Sequence, residues 1–234
     1  MLQGKRRTYS TMVSEKHPTG AVQAVIWDLD GVIIDSAEEH RKAWQRLARE
    51  EGVQFTDEQF WATFGQRNDS IIPLIWGPVS PEQLKALADR KEAYFRDYVR
   101  ETAAPLPGSI ELLSALHNAN YAQALGSSTP IANINLIKEV LGLQRHISVF
   151  VSGETVPHGK PAPDIFLKAA HELGVEPAHC LVIEDAVAGI AAARAGGMYT
   201  IAVTGTRQLP GLQVANIVVH DLTEVTLERI QSLA

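Results

Sequence analysis

The chain has 234 residues, of which 45% are hydrophobic and 21% charged, and its net charge at pH 7 is −6. That length buries a core without disulfides or structural metals and leaves room for one insert. The acidic balance argues against a nucleic-acid binder, and no apolar run reaches the roughly 18–20 residues that cross a bilayer.

Residues 1–20 are polar, carry Lys5, Arg6 and Arg7, and lack the apolar centre of a secretory signal. They are expected to form a flexible tail, with a transit segment as the alternative. The first strand, Val22–Trp27, runs straight into Asp28, Asp30 and Gly31. The pattern is then helical from 37 to 103. Ala43, Trp44, Leu47 and Ala48 recur at helical spacing over Ala37–Glu51, and Leu84, Leu87, Ala88, Phe95 and Val99 do so over Pro81–Arg100. This predicts a helical insert over 37–103, hinged at Ser36 and at Pro105/Pro107. Beyond it, strands are expected at Tyr121–Gly126, Val149–Ser152, Cys180–Ile183, Tyr199–Val203 and Ile217–Val219. Helices are expected near 108–119, 131–142, 163–173, 186–195 and 224–232. The single cysteine, Cys180, lies inside an apolar strand and reads as a small buried side chain, which points to a cytoplasmic protein. Strands alternating with helices predict an α/β fold: a Rossmann-like parallel sheet core over 21–36 and 104–234, with helices on both faces and an inserted α-helical cap. Such sheets bind ligands outside the carboxyl ends of their strands, where Asp28 and Asp30 fall.

Two acids at a strand end need a chemical reason. With Leu29 turned into the core, Asp28 and Asp30 can face one cleft. An aspartate nucleophile suits phosphoryl transfer, and a second acid can protonate the leaving oxygen and then activate the acceptor. The obstacle is charge, since a like-charge pair at about 4 Å costs roughly 4 kcal/mol in an effective dielectric near 20. A hard divalent cation removes most of that cost, and Mg²⁺ binds through one or two carboxylates plus substrate phosphate. The chain supplies complements at other strand ends. Glu184 and Asp185 follow one strand; Ser127, Ser128 and Thr129 follow another and, with Pro130, can open a helix whose amides face the cleft. Lys160 sits in a Pro-flanked loop. The bland alternatives are a turn at Asp30, a helix cap at Ser127 and Thr129, and a solvated lysine at Lys160.

Together DLDGV, the serine-rich strand end, GKPAPDIF and the ED…AGI segment resemble the haloacid dehalogenase superfamily, in particular its β-phosphoglucomutase-like subfamily with a helical cap. The resemblance spans nearly the whole chain from about residue 21. It implies Asp28 as nucleophile, Asp30 as general acid/base, and Ser127 and Lys160 as phosphate ligands. It also implies Mg²⁺ held by Asp28, the Asp30 carbonyl and Asp185, with Glu184 in or beside that shell. His40 stands at an offset where the subfamily often has a histidine near the acid/base. Arg67 in FGQRNDS could grip a second phosphate or a sugar hydroxyl from the cap, or be a solvated loop residue. Trp44 reads as cap packing, and His146, His158, His171 and His179 as structural or exposed.

The acceptor decides between hydrolysis and mutase chemistry. Related mutases carry Lys-Asn where this chain has Pro130 and Ile131, which bring no charge and no side-chain donor. The expected function is therefore a phosphohydrolase of a small phosphorylated carbohydrate or polyol, acting as a monomer or weak dimer with no nucleic-acid or membrane partner. The alternatives are β-phosphoglucomutase, carbon–halogen hydrolysis, against which Asp30 argues, and a non-enzymatic binding protein on the same scaffold.

Overall fold

The computed structural model describes residues 21–205 and 210–233, so the expectations for residues 1–20 lie outside the described residues. Its elements run β1 (Ala24–Trp27), α1 (Ala37–Glu50), α2 (Asp57–Thr63), α3 (Asn68–Trp76), α4 (Pro81–Thr102), α5 (Ser109–Asn118) and β2 (Ala122–Ser127). They continue with α6 (Ile131–Leu141), β3 (Val149–Ser152), α7 (Asp164–Leu173), β4 (Cys180–Glu184), α8 (Val187–Ala195), β5 (Tyr199–Val203), β6 (Ile217–Val219) and α9 (Leu227–Gln231). Among these, no helix is long and apolar enough to cross a membrane.

The strands form one parallel sheet in the order β3-β2-β1-β4-β5-β6. All four residues of β1 are buried because this central strand has helices on both sides. Its side chains alternate between two cores, as the two-residue period of a strand requires. Val25 and Trp27 pack with Leu112 and Leu113 of α5 and Ile134 of α6, while Ala24 and Ile26 pack with Phe166 of α7 and Ala192 of α8. The order of the sheet reverses between β1 and β4, and the crevice at such a reversal is where open α/β sheets bind ligands. Register brings the two strand ends level: Trp27 pairs with Ile183, and the Asp28 N–H donates to the Ile183 carbonyl at 3.0 Å.

Helices α1–α4 fill the stretch between β1 and α5. The short α2 and the long α4 both begin in capping boxes, Thr56 with Gln59 and Ser80 with Gln83, which satisfy otherwise unpaired amides of the first turn. Trp44, Leu47, Phe60, Ile72 and Leu87 make a separate small core for this insert, and Trp44 lies against Phe55 and Trp76. Helix α4 belongs to both bodies, since Leu87 packs in the insert and Phe95 and Val99 in the main core.

Directly before the crevice, the buried Trp27 indole donates to Gln123 Oε1 at 3.0 Å, and the Gln123 amide donates to the Leu113 carbonyl at 2.9 Å. Replacing Gln123 by leucine strands the Trp27 indole N–H in an apolar layer and takes a second donor from the Leu113 carbonyl of α5. Gln123→Leu is expected to lower stability by about 1–3 kcal/mol, read as a fall in the urea midpoint at unchanged slope.

Candidate active site

Four carboxylates meet where β1 and β4 end. Asp28, Glu184 and Asp185 bring one oxygen each to within 4.8 Å of one another, and all three are buried. Lys160, from the loop before α7, reaches into the group. Its ammonium donates to Asp28 Oδ1 at 2.6 Å and to Glu184 Oε1 at 2.7 Å. The other Glu184 oxygen accepts the Ala186 N–H at 2.7 Å, so both oxygens of that side chain are engaged. Burial works against a charged Lys160, but Asp28 and Glu184 outweigh it and raise its pKa above the usual lysine value. Burial also pushes the Asp28 carboxyl up to about 7; Glu184 and Asp30 add to the rise and Lys160 opposes it. One ammonium is thus too little positive charge for this cluster. An all-oxygen donor set with excess negative charge fits a hard divalent cation such as Mg²⁺.

Two glycines make the crowding sterically possible. Gly31 has φ +83°, and a Cβ there would lie 2.1 Å from Asp185 Oδ2. A Cβ on Gly189, inside α8, would lie 1.7 Å from Glu184 Oε1.

Asp30 has different company. Its Oδ2 accepts the Thr129 hydroxyl at 2.6 Å; its Oδ1 accepts the Ser36 hydroxyl and faces His40 Nε2 at 3.4 Å. Burial would raise its pKa, but His40 and the Ser36 and Thr129 hydroxyls outweigh it and hold the carboxyl below the usual range. Ser36 was expected only as a hinge and is here a partner of Asp30. His40 stacks on Phe95 with 3.8 Å between ring centroids, and its Nδ1 lies 2.7 Å from the Lys91 ammonium. An ammonium can only donate, so the His40 proton belongs on Nε2, towards Asp30.

Asp28, Asp30, His40, Ser127, Ser128 and Thr129 line one cavity, closed on the far side by residues of the helical insert. Lys160, Glu184 and Asp185 stand behind Asp28. Ser127 is buried, and its hydroxyl accepts the Thr129 N–H at 3.2 Å. The expectation that amides at the start of α6 face the cleft meets a competitor. Pro130 occupies the cap position without a capping side chain, and Glu154 Oε2 takes the Ile131 N–H at 2.9 Å. Arg67 is not on the cavity lining. Its guanidinium donates to the Val156 carbonyl at 3.1 Å and to Asp69 at 2.5 Å. His158 pairs with Asp164, His179 Nδ1 meets the Ala21 carbonyl, and Cys180 is buried.

Four polar residues, Lys91, Glu92, Asn68 and Asn133, were not found from sequence. Lys91, buried on α4, meets His40 and also Glu92 Oε1 at 2.8 Å. Glu92 takes the Asn68 amide at 2.8 Å and, across to α6, the Asn133 amide at 2.5 Å. A signal existed, because Lys91 falls on the apolar stripe of its helix between Leu87 and Phe95.

The family model for haloacid dehalogenase-like hydrolases matches residues 22–197. The chain is 36% identical over 179 residues to the fructose-1-phosphate phosphatase YqaB of Escherichia coli, covering 74% of this chain and 92% of that one. It is 35% identical over 215 residues to β-phosphoglucomutase of Bacillus subtilis, covering 88% and 93%. The crystal structure of β-phosphoglucomutase from Clostridium difficile superposes with a TM-score of 0.82 at 31% identity, over 90% of this chain and 96% of that one. The chain belongs to the haloacid dehalogenase-like hydrolases, in their β-phosphoglucomutase-like branch, and is an enzyme of the phosphatase and phosphotransferase class.

A glycine-to-alanine change inside a helix ordinarily stabilises by roughly 0.5–1 kcal/mol. Gly189→Ala is expected to do the reverse, because the new methyl group displaces Glu184 from Lys160. Differential scanning calorimetry should show a lower Tm.

Proposed function

We propose that the chain is a Mg²⁺-dependent phosphohydrolase of a small phosphorylated carbohydrate or polyol, working through an aspartyl phosphate on Asp28. The observation that carries this reading is the different surroundings of two acids on one strand end. Asp28 is paired with Lys160 in a cluster short of positive charge, whereas Asp30 is held by hydroxyls and an imidazole.

In the first step an Asp28 carboxylate oxygen attacks phosphorus, and the bond from phosphorus to the leaving oxygen breaks. Asp30 passes a proton to that oxygen; the negative charge of the bound phosphate works against the His40, Ser36 and Thr129 contacts that hold its carboxyl low in the substrate-free site. In the second step Asp30 takes a proton from water as the water attacks phosphorus, which releases phosphate and restores Asp28. Lys160 and Ser127 bind the transferring phosphoryl oxygens, with Ser128 and Thr129 beside them. Asp28, Asp185 and the Asp30 carbonyl, with Glu184 next to them, would hold Mg²⁺, which would offset the charge of phosphate and carboxylate. The residues 37–103 form the cap and 21–36 with 104–234 the catalytic core, in a cytoplasmic monomer or weak dimer.

Water is the favoured acceptor. A mutase must hold the distal phosphate of a bisphosphate. Pro130 offers no donor at the cavity wall, the Ile131 N–H is spent on Glu154, and Arg67 is turned to Val156 and Asp69. The second reading, β-phosphoglucomutase, is favoured by the likeness to the Bacillus subtilis enzyme over most of both chains.

The test supplies purified protein and Mg²⁺ with a panel of sugar and polyol phosphates, and with β-glucose 1-phosphate plus a trace of glucose 1,6-bisphosphate. Free phosphate is expected as the main product. Glucose 6-phosphate forming much faster than free phosphate establishes the mutase instead. Asp28→Ala should lose roughly six orders of magnitude in kcat, the scale of removing a nucleophile, and activity near wild type would overturn the role of Asp28.

Metal binding should carry a pH signature. With the Asp28 carboxyl raised to about 7 in the metal-free protein, a cation must displace its proton below that pH. The Kd for Mg²⁺ is expected to rise by about tenfold per pH unit below 7 and to level off above it. Calorimetric titration in buffers of different ionisation heat reads both the affinity and the proton released.

A further inference from the structure

The insert closes the cavity with two carboxamides, Gln66 and Asn68, and with the rings of Trp44, Phe60 and Phe64. The charged groups on this part of the lining, among the described residues, are Lys91 and Glu92 with the ring of His40 between Lys91 and Asp30. Both charged side chains are deeply buried, at 2% and 5% exposure, so solvent does little to screen them. They cancel each other at 2.8 Å. Burial works against a charged Glu92, yet Lys91 and His40 beside it, with the bonds from Lys91 and Asn68, keep its carboxyl below the usual range. Glu92 is therefore a fixed anion that neutralises Lys91 and leaves the leaving-group side of the wall with no net positive charge.

No unspent cation faces it on the described lining. Lys91 is committed to Glu92 and His40, Arg67 to Val156 and Asp69, and Arg96 to Asn133 Oδ1 at 2.9 Å. A hydroxyl-bearing chain placed here finds amides to bond and rings to lie against. A second phosphate or carboxylate loses its hydration here and finds no unpaired cation in return, because Glu92 holds the charge of Lys91.

We propose that Glu92 determines the charge selectivity of the site: it admits an uncharged leaving group and rejects one that carries a further anion. The inference rests on the phosphohydrolase reading. It goes beyond that reading by assigning the choice of substrate charge to one side chain of the insert. Removing the negative charge of Glu92 releases the positive charge of Lys91 to an incoming anion, so the selectivity is expected to relax or invert.

Three aryl phosphates that differ in one distant charge separate the two claims: phenyl phosphate, 4-carboxyphenyl phosphate and 4-(aminomethyl)phenyl phosphate. No free phosphate from these compounds or from the sugar and polyol phosphates overturns the phosphohydrolase reading itself; where only sugar phosphates turn over, fructose 1-phosphate against fructose 1,6-bisphosphate makes the same comparison. With turnover, wild type should prefer phenyl phosphate over the carboxylate by at least about tenfold in kcat/KM, and should take the ammonium compound at least as well as phenyl phosphate. Equal kcat/KM for all three, or a preference for the carboxylate, overturns the role of Glu92. In Glu92→Gln the ratio of phenyl to carboxyphenyl phosphate should fall by about tenfold or more, whereas Glu92→Asp, which keeps the charge, should retain most of it. An unchanged ratio in Glu92→Gln assigns the discrimination to Asp28 and Asp30 and overturns the proposal. Should Glu92→Gln fail to fold, equal kcat/KM for the three compounds in wild type still overturns the proposal.

Discussion

Carboxylates that must stand together at the ends of β1 and β4 set the terms for the rest of this structure. Three of them have oxygens within 4.8 Å of one another, and a single buried ammonium bonds two of those three. Several otherwise unrelated features follow from that constraint. The level register of β1 and β4 brings Asp28 beside Glu184. Gly31 and Gly189 withhold a Cβ where a carboxylate needs the room. Small residues such as Ala192 and Ala193 let α8 lie close to the sheet. Lys160 comes from a distant loop, and its chain is desolvated at the expense of its own hydration because two acids hold its charge.

Asp30 shows how the same strand end creates a second kind of acid. Two residues along, with Leu29 buried between them, the chain leaves the sheet, and Asp30 meets hydroxyls from both sides of the fold: Ser36 before α1 and Thr129 before α6. Its third neighbour, His40, comes from the insert and is itself fixed by Lys91 and Phe95 of α4. The two aspartates thus draw on different parts of the molecule, Asp28 on the sheet core and Asp30 on the junction with the insert. That is the physical basis for giving them different roles.

The sheet was legible because each of its strands is a short apolar run closed by polar or small residues. Val149–Ser152 and Ile217–Val219 coincide with the observed β3 and β6. The site was legible where it sits on strand ends, because strand ends are fixed by the apolar runs before them. What escaped lies on helices and between distant segments. Lys91 and Glu92 belong to a helix read only for its apolar stripe, and Asn133 lies among apolar residues of α6. Their meeting depends on the packing of α4 on α6, which no local pattern encodes. Arg67 differs in another way: its residue type suits an anion, and its guanidinium is held by the Val156 carbonyl and Asp69. The number of short helices in the insert was equally hidden, since α2 and α3 are brief and α3 contains Pro73.

The double membership of α4 has a consequence for how such an enzyme can diversify. Its Phe95 and Val99, with Ala43 of α1, are part of the main core, so these two helices are tied to the folding of the sheet. The short α2 and α3 contribute Phe60, Ile71 and Ile72 to the small separate core and nothing buried to the large one. Phe60, Thr63, Asn68 and Ile71 nonetheless line the cavity. Mutation can therefore rework this part of the cavity wall while leaving the strand ends and the main core intact, so that the two regions can change at different rates.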